Sequence, residues 1–371
     1  MENRDKDILK SLKDLDLSPT MEKNAREKYD ALCNYLNDYG LESDFKPQGS
    51  FYIGTVIKPY REGMNRDYDL DVLAVLNRDK QNTDAKSVKK DVGDAIKDNG
   101  VYADKLEKED RNCWTLKYAE VTNGIGFSLD IVPAVNEVEE IKSEIILSGV
   151  DISKVQNAVS ITDKRTNYEW LTSNPIGFGD WFLEISNKNI TSDMKAEQYN
   201  KMPFDIRTTY ASIEKIPTYY YRSNLQRAVQ FIKRHRDIYY DRSNKRNHKP
   251  SSILLSALVA DSIKDKSFLS VSEIIESFVD GYKNKTISIM KNHKILNPVD
   301  LREDLVENYS HERMIILDEW IESLSNFIHI ENDKKFRQTI HNDINNKVFS
   351  DSFDIPKNIF EPAKPWMVNN E

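Results

Sequence analysis

Only two of the chain's 371 residues are cysteines. Cys33 and Cys113 have no spaced framework and no flanking histidine cluster, which excludes disulfide stapling and a cysteine zinc site and fits a reducing cytosol. No run approaches the roughly 20 apolar residues that a membrane helix needs. The N-terminus, MENRDKDILK, is charged where a signal peptide turns apolar. The expected location is therefore cytoplasmic, with no membrane partner. An excess of positive charge is also missing. The 53 Lys and Arg against 61 Asp and Glu leave a net charge of −8, which argues against general affinity for nucleic acid. One basic stretch stands out, KRHRDIYYDRSNKRNHK at 233–249. None of the six histidines pairs at metal-ligand spacing, and His235 and His248 read as surface or structural residues. No internal repeat is visible.

What is present is ordinary folded protein, with 39% hydrophobic and 10% aromatic residues and length enough for two packed domains. Helical spacing of Ala25, Tyr29, Leu32, Cys33 and Leu36 predicts a long helix over 21–40. Strands are predicted at 67–76, 114–121 and 126–135, the last two joined at Asn123-Gly124, a strong hairpin-turn signal. Residues 84–98 read as a polar surface helix. Beyond about 165 the strand signals fade, and helices are predicted at 175–187, 221–240, 251–264, 271–283, 311–328 and 331–346. Pro203, Pro217, Pro250 and Pro298 punctuate them. The fold class is α/β (α+β), with a mixed sheet in 1–165 and a helical lobe in 166–371.

The stretch QGSFYIGTVIKPYREGMNRDYDLDVLAVL (48–76) places Asp67, Asp69 and Asp71 at the head of an apolar strand. Alternation puts Asp69 and Asp71 on one face and Leu70 and Val72 on the other. Adjacent carboxylates repel each other, and two bound divalent cations would remove that cost. An isolated D-x-D is usually a solvated turn, but three neighbours change the reading. Gly49-Ser50 upstream offers N–H groups and a hydroxyl to a phosphate. Asp130 interrupts the apolar strand FSLDIV. That strand's hairpin can lie beside the first strand and bring Asp130 to the pair. Asp67 and Asp69 are spaced as well as Asp69 and Asp71. The second pair is preferred because Asp67 follows a loop and Asp71 abuts the apolar run.

A Gly-Ser turn, a D-x-D strand and a later single Asp resemble the polymerase-β-like nucleotidyltransferase superfamily. QGSFYIGT, DYDLDV, SLDIVPAV, NPIGFGDWF, LQRAVQFIKRHRD and KPSSILL, in that order, are similar to its bacterial CD-NTase family of cyclic-oligonucleotide synthases. The resemblance implies a two-lobed nucleotidyltransferase core with a helical C-terminal lobe. It implies two Mg²⁺ (or Mn²⁺) ions held by Asp69, Asp71 and Asp130, and ribonucleoside triphosphates joined into cyclic di- or trinucleotides with loss of pyrophosphate. Gly49 and Ser50 would grip the donor's β/γ-phosphates with Gln48 nearby. Lys233 matches the family's triphosphate lysine, with Arg234 and Arg236 next if the helix is rotated. Ser252 reads as the phosphate ligand, with Ser251, which can also cap the helix, as the second choice. Tyr168 and Trp170 fall in a segment near the family's nucleotide pocket.

The implied partners are a separate effector that answers the product in bacterial anti-phage defence and a regulatory protein or ligand acting at the basic stretch. Transfer to another acceptor (an RNA end, a protein or a small molecule) and a nucleotide-binding pseudoenzyme are the alternatives.

Overall fold

The computed structural model describes residues 2–122, 125–190, 214, 222–345 and 347–350. The expected Asn123-Gly124 turn, Pro203 and Pro217 lie outside them. Six strands form one mixed sheet: β1 Ser43–Pro47, β4 Tyr68–Leu76, β5 Trp114–Thr122, β6 Ile125–Asn136, β7 Val159–Asp163 and β8 Glu169–Ser173. Two short strands, β2 Tyr60–Arg61 and β3 Met64–Asn65, make a small hairpin just before β4. The sheet order is β1-β4-β6-β7-β8, with β5 paired along the first part of β6. β4 and β6 run parallel, and the remaining pairs are antiparallel.

The burial along β4 changes character partway. Asp69 is exposed and Asp71 half-buried between buried neighbours, whereas Val72 to Leu76 are all buried. Leu70, Val72, Ala74 and Leu76 face a core shared with the helices Pro19–Asp38 and Ala85–Asp98. Leu73 and Val75, on the acids' face, are covered by Ala134, Val159 and Ile176. The acids therefore hold the strip of that face left uncovered at the head of the strand.

Helices form at Pro175–Asn187, Asn224–Arg242, Ser252–Asp261, Val271–Lys283, His311–Ile328 and Asp333–Asp343, close to the predicted spans. Ser223 starts the central one, Asn224–Arg242, through a capping box with Gln226. Two readings need correction. The helix Ala85–Asp98 is not a polar surface element, because it buries Val88, Val92, Ala95 and Ile96 against the sheet. Strands continue past 165, with β8 in the main sheet and β9 Met290–Lys291, β10 Lys294–Asn297 and β11 Asp300–Asp304 in a smaller one. An unforeseen helix, Glu2–Leu12, packs Ile8 and Leu12 into the helical core.

Candidate active site

The register of the sheet assembles the acids. Asp69 stands beside Ser128 and Asp71 beside Asp130 on β6, and β5 places Thr115 next to Asp130. The Ser128 hydroxyl donates to Asp69 Oδ1 at 2.6 Å, and the Thr115 hydroxyl donates to Asp130 Oδ1 at 2.7 Å. Loss of water, then the charges of Asp130 and Asp69, push the Asp71 carboxyl up to about 7. Asp130 is pushed up to about 6, chiefly by loss of water, with Thr115 opposing and Asp69 adding to the rise. Asp67 does a different job: its Oδ1 accepts the Gly126 N–H at 2.8 Å and pins the start of β6 to β4.

Adjacent carboxylates that resist ionising suit hard divalent cations, which restore the charged form and accept oxygen ligands. Among the described residues no three acid, imidazole or thiol side chains converge tightly enough to cage an ion alone. Ions held here would take further ligands from phosphate and water, as Mg²⁺ commonly does.

Against the acids lies the Gly-Ser turn. The Gln48 N–H donates to the Asp71 carbonyl at 2.9 Å, so the turn is anchored to the acid strand itself. Gly49 has φ +61°, and a Cβ built on it would fall 2.3 Å from Asp71 Oδ2. Both facts require glycine. Ser50 follows in the single helical turn Gly49–Tyr52.

The opposite wall comes from the central helix and the segment after it. Arg222, Gln226, Gln230 and Lys233 donate to four successive carbonyls of the strap that leaves the turn: Gln226 to Ile53 at 2.9 Å, Arg222 to Gly54 at 3.0 Å, Lys233 to Thr55 at 3.0 Å and Gln230 to Val56 at 2.8 Å. Lys233 is buried, and loss of water, then Arg236, pull its ammonium down to about 8. Arg236 is buried too and reaches Asp237, the Pro250 carbonyl and, at 3.2 Å, the Ser252 hydroxyl oxygen. A Ser252 oxygen that accepts from Arg236 keeps its own proton free to donate. Ser251 caps the helix Ser252–Asp261 by accepting from the Leu254 N–H.

One cavity of about 480 Å³ is lined by Gly49, Ser50, Asp69, Asp71, Lys233, Ser251 and Ser252. Gln48 and Asp130 adjoin it without lining it: the first sits beneath the turn and the second one strand beyond Asp71. Tyr168 and Trp170 are outside. The Tyr168 hydroxyl donates to Glu109, and Trp170 packs on the sheet core. Arg234 points away from the cleft, to Asn65 and the Ile344 carbonyl. His235 is structural and buried, with Trp320 Nε1 donating to its Nδ1. The basic stretch thus turns much of its charge inward. Arg236, the alternative to Lys233 for a rotated helix, does line the cleft, whereas Ser128 and Thr115 are supports that the residue pattern did not reveal, since their value lies in register.

Residues 3–146 match the family model described as the Second Messenger Oligonucleotide or Dinucleotide Synthetase domain. The chain is 30% identical over 286 residues to the c-di-GMP synthase of Roseivirga ehrenbergii, an alignment spanning 75% of this chain and 66% of that protein. Its structure resembles the Bradyrhizobium diazoefficiens CD-NTase CdnG in complex with GTP, with a TM-score of 0.65 and 19% identity over 94% of this chain and 97% of the other. The Vibrio cholerae cyclic AMP-GMP synthase DncV, bound to a linear intermediate, aligns at TM-score 0.53 and 16% identity over 93% and 85%. With the mixed sheet, the helical lobe and the cleft between them, these findings place the chain in the bacterial CD-NTase family of nucleotidyltransferases that make cyclic oligonucleotides.

Proposed function

We propose that this chain joins ribonucleoside triphosphates into a cyclic dinucleotide and releases pyrophosphate. The observation that carries the reading is the convergence of Asp69, Asp71, Gly49, Ser50, Lys233 and Ser252 on one cavity, with Asp130 beside Asp71. Residues 1–165 supply the acids and the turn, and 166–371 the cations.

Gly49 and Ser50, set in place by Gln48, hold the donor's β- and γ-phosphates. Lys233 and Ser252 grip the same tail from the helical lobe, where Ser251 fixes the helix start. Asp69, Asp71 and Asp130 hold two Mg²⁺ or Mn²⁺ ions, which supply charge neutralisation at the attacking and leaving oxygens. Ser128 and Thr115 keep Asp69 and Asp130 aimed. A ribose hydroxyl of the acceptor bonds to the donor's α-phosphorus as the bond to the pyrophosphate oxygen breaks, and a second transfer within the linear dinucleotide closes the ring. The name of the Roseivirga relative and the GTP bound to CdnG support guanine nucleotides as the first substrates to test, and c-di-GMP as the first product.

A cytosolic cyclic dinucleotide would serve as a second messenger for a separate effector in anti-phage signalling. A regulatory protein or ligand would switch its synthesis.

The test is incubation with all four ribonucleoside triphosphates and Mg²⁺ or Mn²⁺, phosphatase treatment and mass spectrometry, beside Asp69→Asn. A phosphatase-resistant cyclic product made only by the native chain is expected. Product from both proteins would sink the assignment of the acids, and a nucleotide attached to an added RNA or protein would replace the cyclisation reading.

A further inference from the structure

Lys249 Nζ lies 3.2 Å from Asp237 Oδ1, and its side chain is 38% exposed while that of Asp237 is 2% exposed. The same carboxylate oxygen accepts Arg236 Nε at 2.9 Å and Arg236 Nη2 at 2.7 Å. One oxygen thus serves three donors. The lysine's is the longest of these contacts and the one made by a partly exposed side chain. If Lys249 left, Arg236 would still neutralise Asp237, so no buried charge would be stranded.

Its position gives it somewhere to go. Lys249 lines the cleft together with Gly49, Ser50, Lys233 and Ser252, three residues before Ser252. It also borders a second cavity of about 460 Å³ that shares Asp237 with the cleft. Lys233 already spends one donor on the Thr55 carbonyl, and each nitrogen of Arg236 is engaged by Asp237, Pro250 or Ser252. The acids fix the direction of a bound donor, because its α-phosphate must lie over them and its tail must run toward the helical lobe. Lys249 stands at that far rim with an ammonium on a flexible stem.

We propose that Lys249 leaves Asp237 for the terminal phosphate of the bound nucleotide and so distinguishes a triphosphate from a diphosphate. This rests on the nucleotidyl-transfer reading above.

The experiment is calorimetric titration of the full chain, in Mg²⁺, with α,β-methylene analogues of GTP and ATP and with GDP and ADP. The native protein is compared with Lys249→Met, Lys249→Gln and Lys249→Arg, and each variant's fold is checked by thermal unfolding. Lys249→Met and Lys249→Gln should bind the triphosphate analogues roughly ten-fold more weakly with diphosphate affinity unchanged, and Lys249→Arg should retain most of the preference. Equal losses for both nucleotide classes, or no loss for either, would overturn the assignment to Lys249 and leave the synthase reading standing. Failure of the native protein to bind any triphosphate would overturn both.

Discussion

The two walls of the cleft treat sequestered charge in opposite ways. On the helical wall Arg236 satisfies Asp237, Ser252 and a carbonyl, and Lys233 is set on Thr55. On the sheet wall Asp69 and Asp130 have one hydroxyl each, and Asp71 has two carboxylates for neighbours. One wall pairs most of its charge within itself, and the other gathers carboxylates whose repulsion bound cations would relieve. Responses to pH and metal should therefore concentrate on the sheet wall, and responses to nucleotide length on the helical wall.

The sharpest way to break this contrast is Asp71→Asn. It should lower product formation by roughly 1,000-fold yet stabilise the metal-free protein at pH 7.5. The sign follows from the raised carboxyl of Asp71. Its contribution to stability is complete below the ordinary carboxylate range and is lost as pH rises through about 7. Thermal melts in EDTA should accordingly fall between pH 5 and 8 in the native chain and fall less in Asp71→Asn. An unchanged slope in the variant would show that the acids are not the strained element. On the other wall, Lys233→Met should raise the KM for triphosphate by roughly 10- to 100-fold with a smaller effect on kcat, read from initial rates.

Gly49→Ala joins the walls' fates, since its methyl meets Asp71 at φ +61°. A loss of about 1–2 kcal/mol in stability and several-fold in activity is expected, read by urea unfolding and initial rates. A variant as stable and active as the native chain would refute the close approach. The smallest effect belongs to Thr115→Val, which removes one hydrogen bond to Asp130 at nearly constant volume. Activity should drop by roughly 2- to 10-fold, with the acidic limb of the pH–rate profile moving upward and Thr115→Ser restoring both.

Much of the sheet wall was legible because its signals are local. Asp69, Asp71 and Asp130 interrupt apolar strands, and Gly49 precedes them at short range. Strand β1, with Phe45 its chief core residue, and strand β8, with exposed Glu169 and Leu171, gave no such signal. Their pairing is decided by distant partners rather than by their own alternation. The helical wall was legible in outline, and its charges were harder to read. A run such as Lys-Arg-His-Arg-Asp looks solvated, yet Arg234, His235, Arg236 and Asp237 are all buried. The chain can bury them because Asp237 and Arg236 pair within the helix and Trp320 arrives from 85 residues away to serve His235.

The strap from Ile53 to Val56 carries one further implication. Each of its carbonyls is claimed by a different side chain of the central helix or its approach, so backbone spacing, rather than side-chain identity, is what the helix reads. Substitutions that keep Gly54 in its left-handed conformation leave that match intact. Inserting or deleting a single residue there would put all four donors out of step at once, so across divergent copies of this enzyme the strap should drift in composition while holding its length.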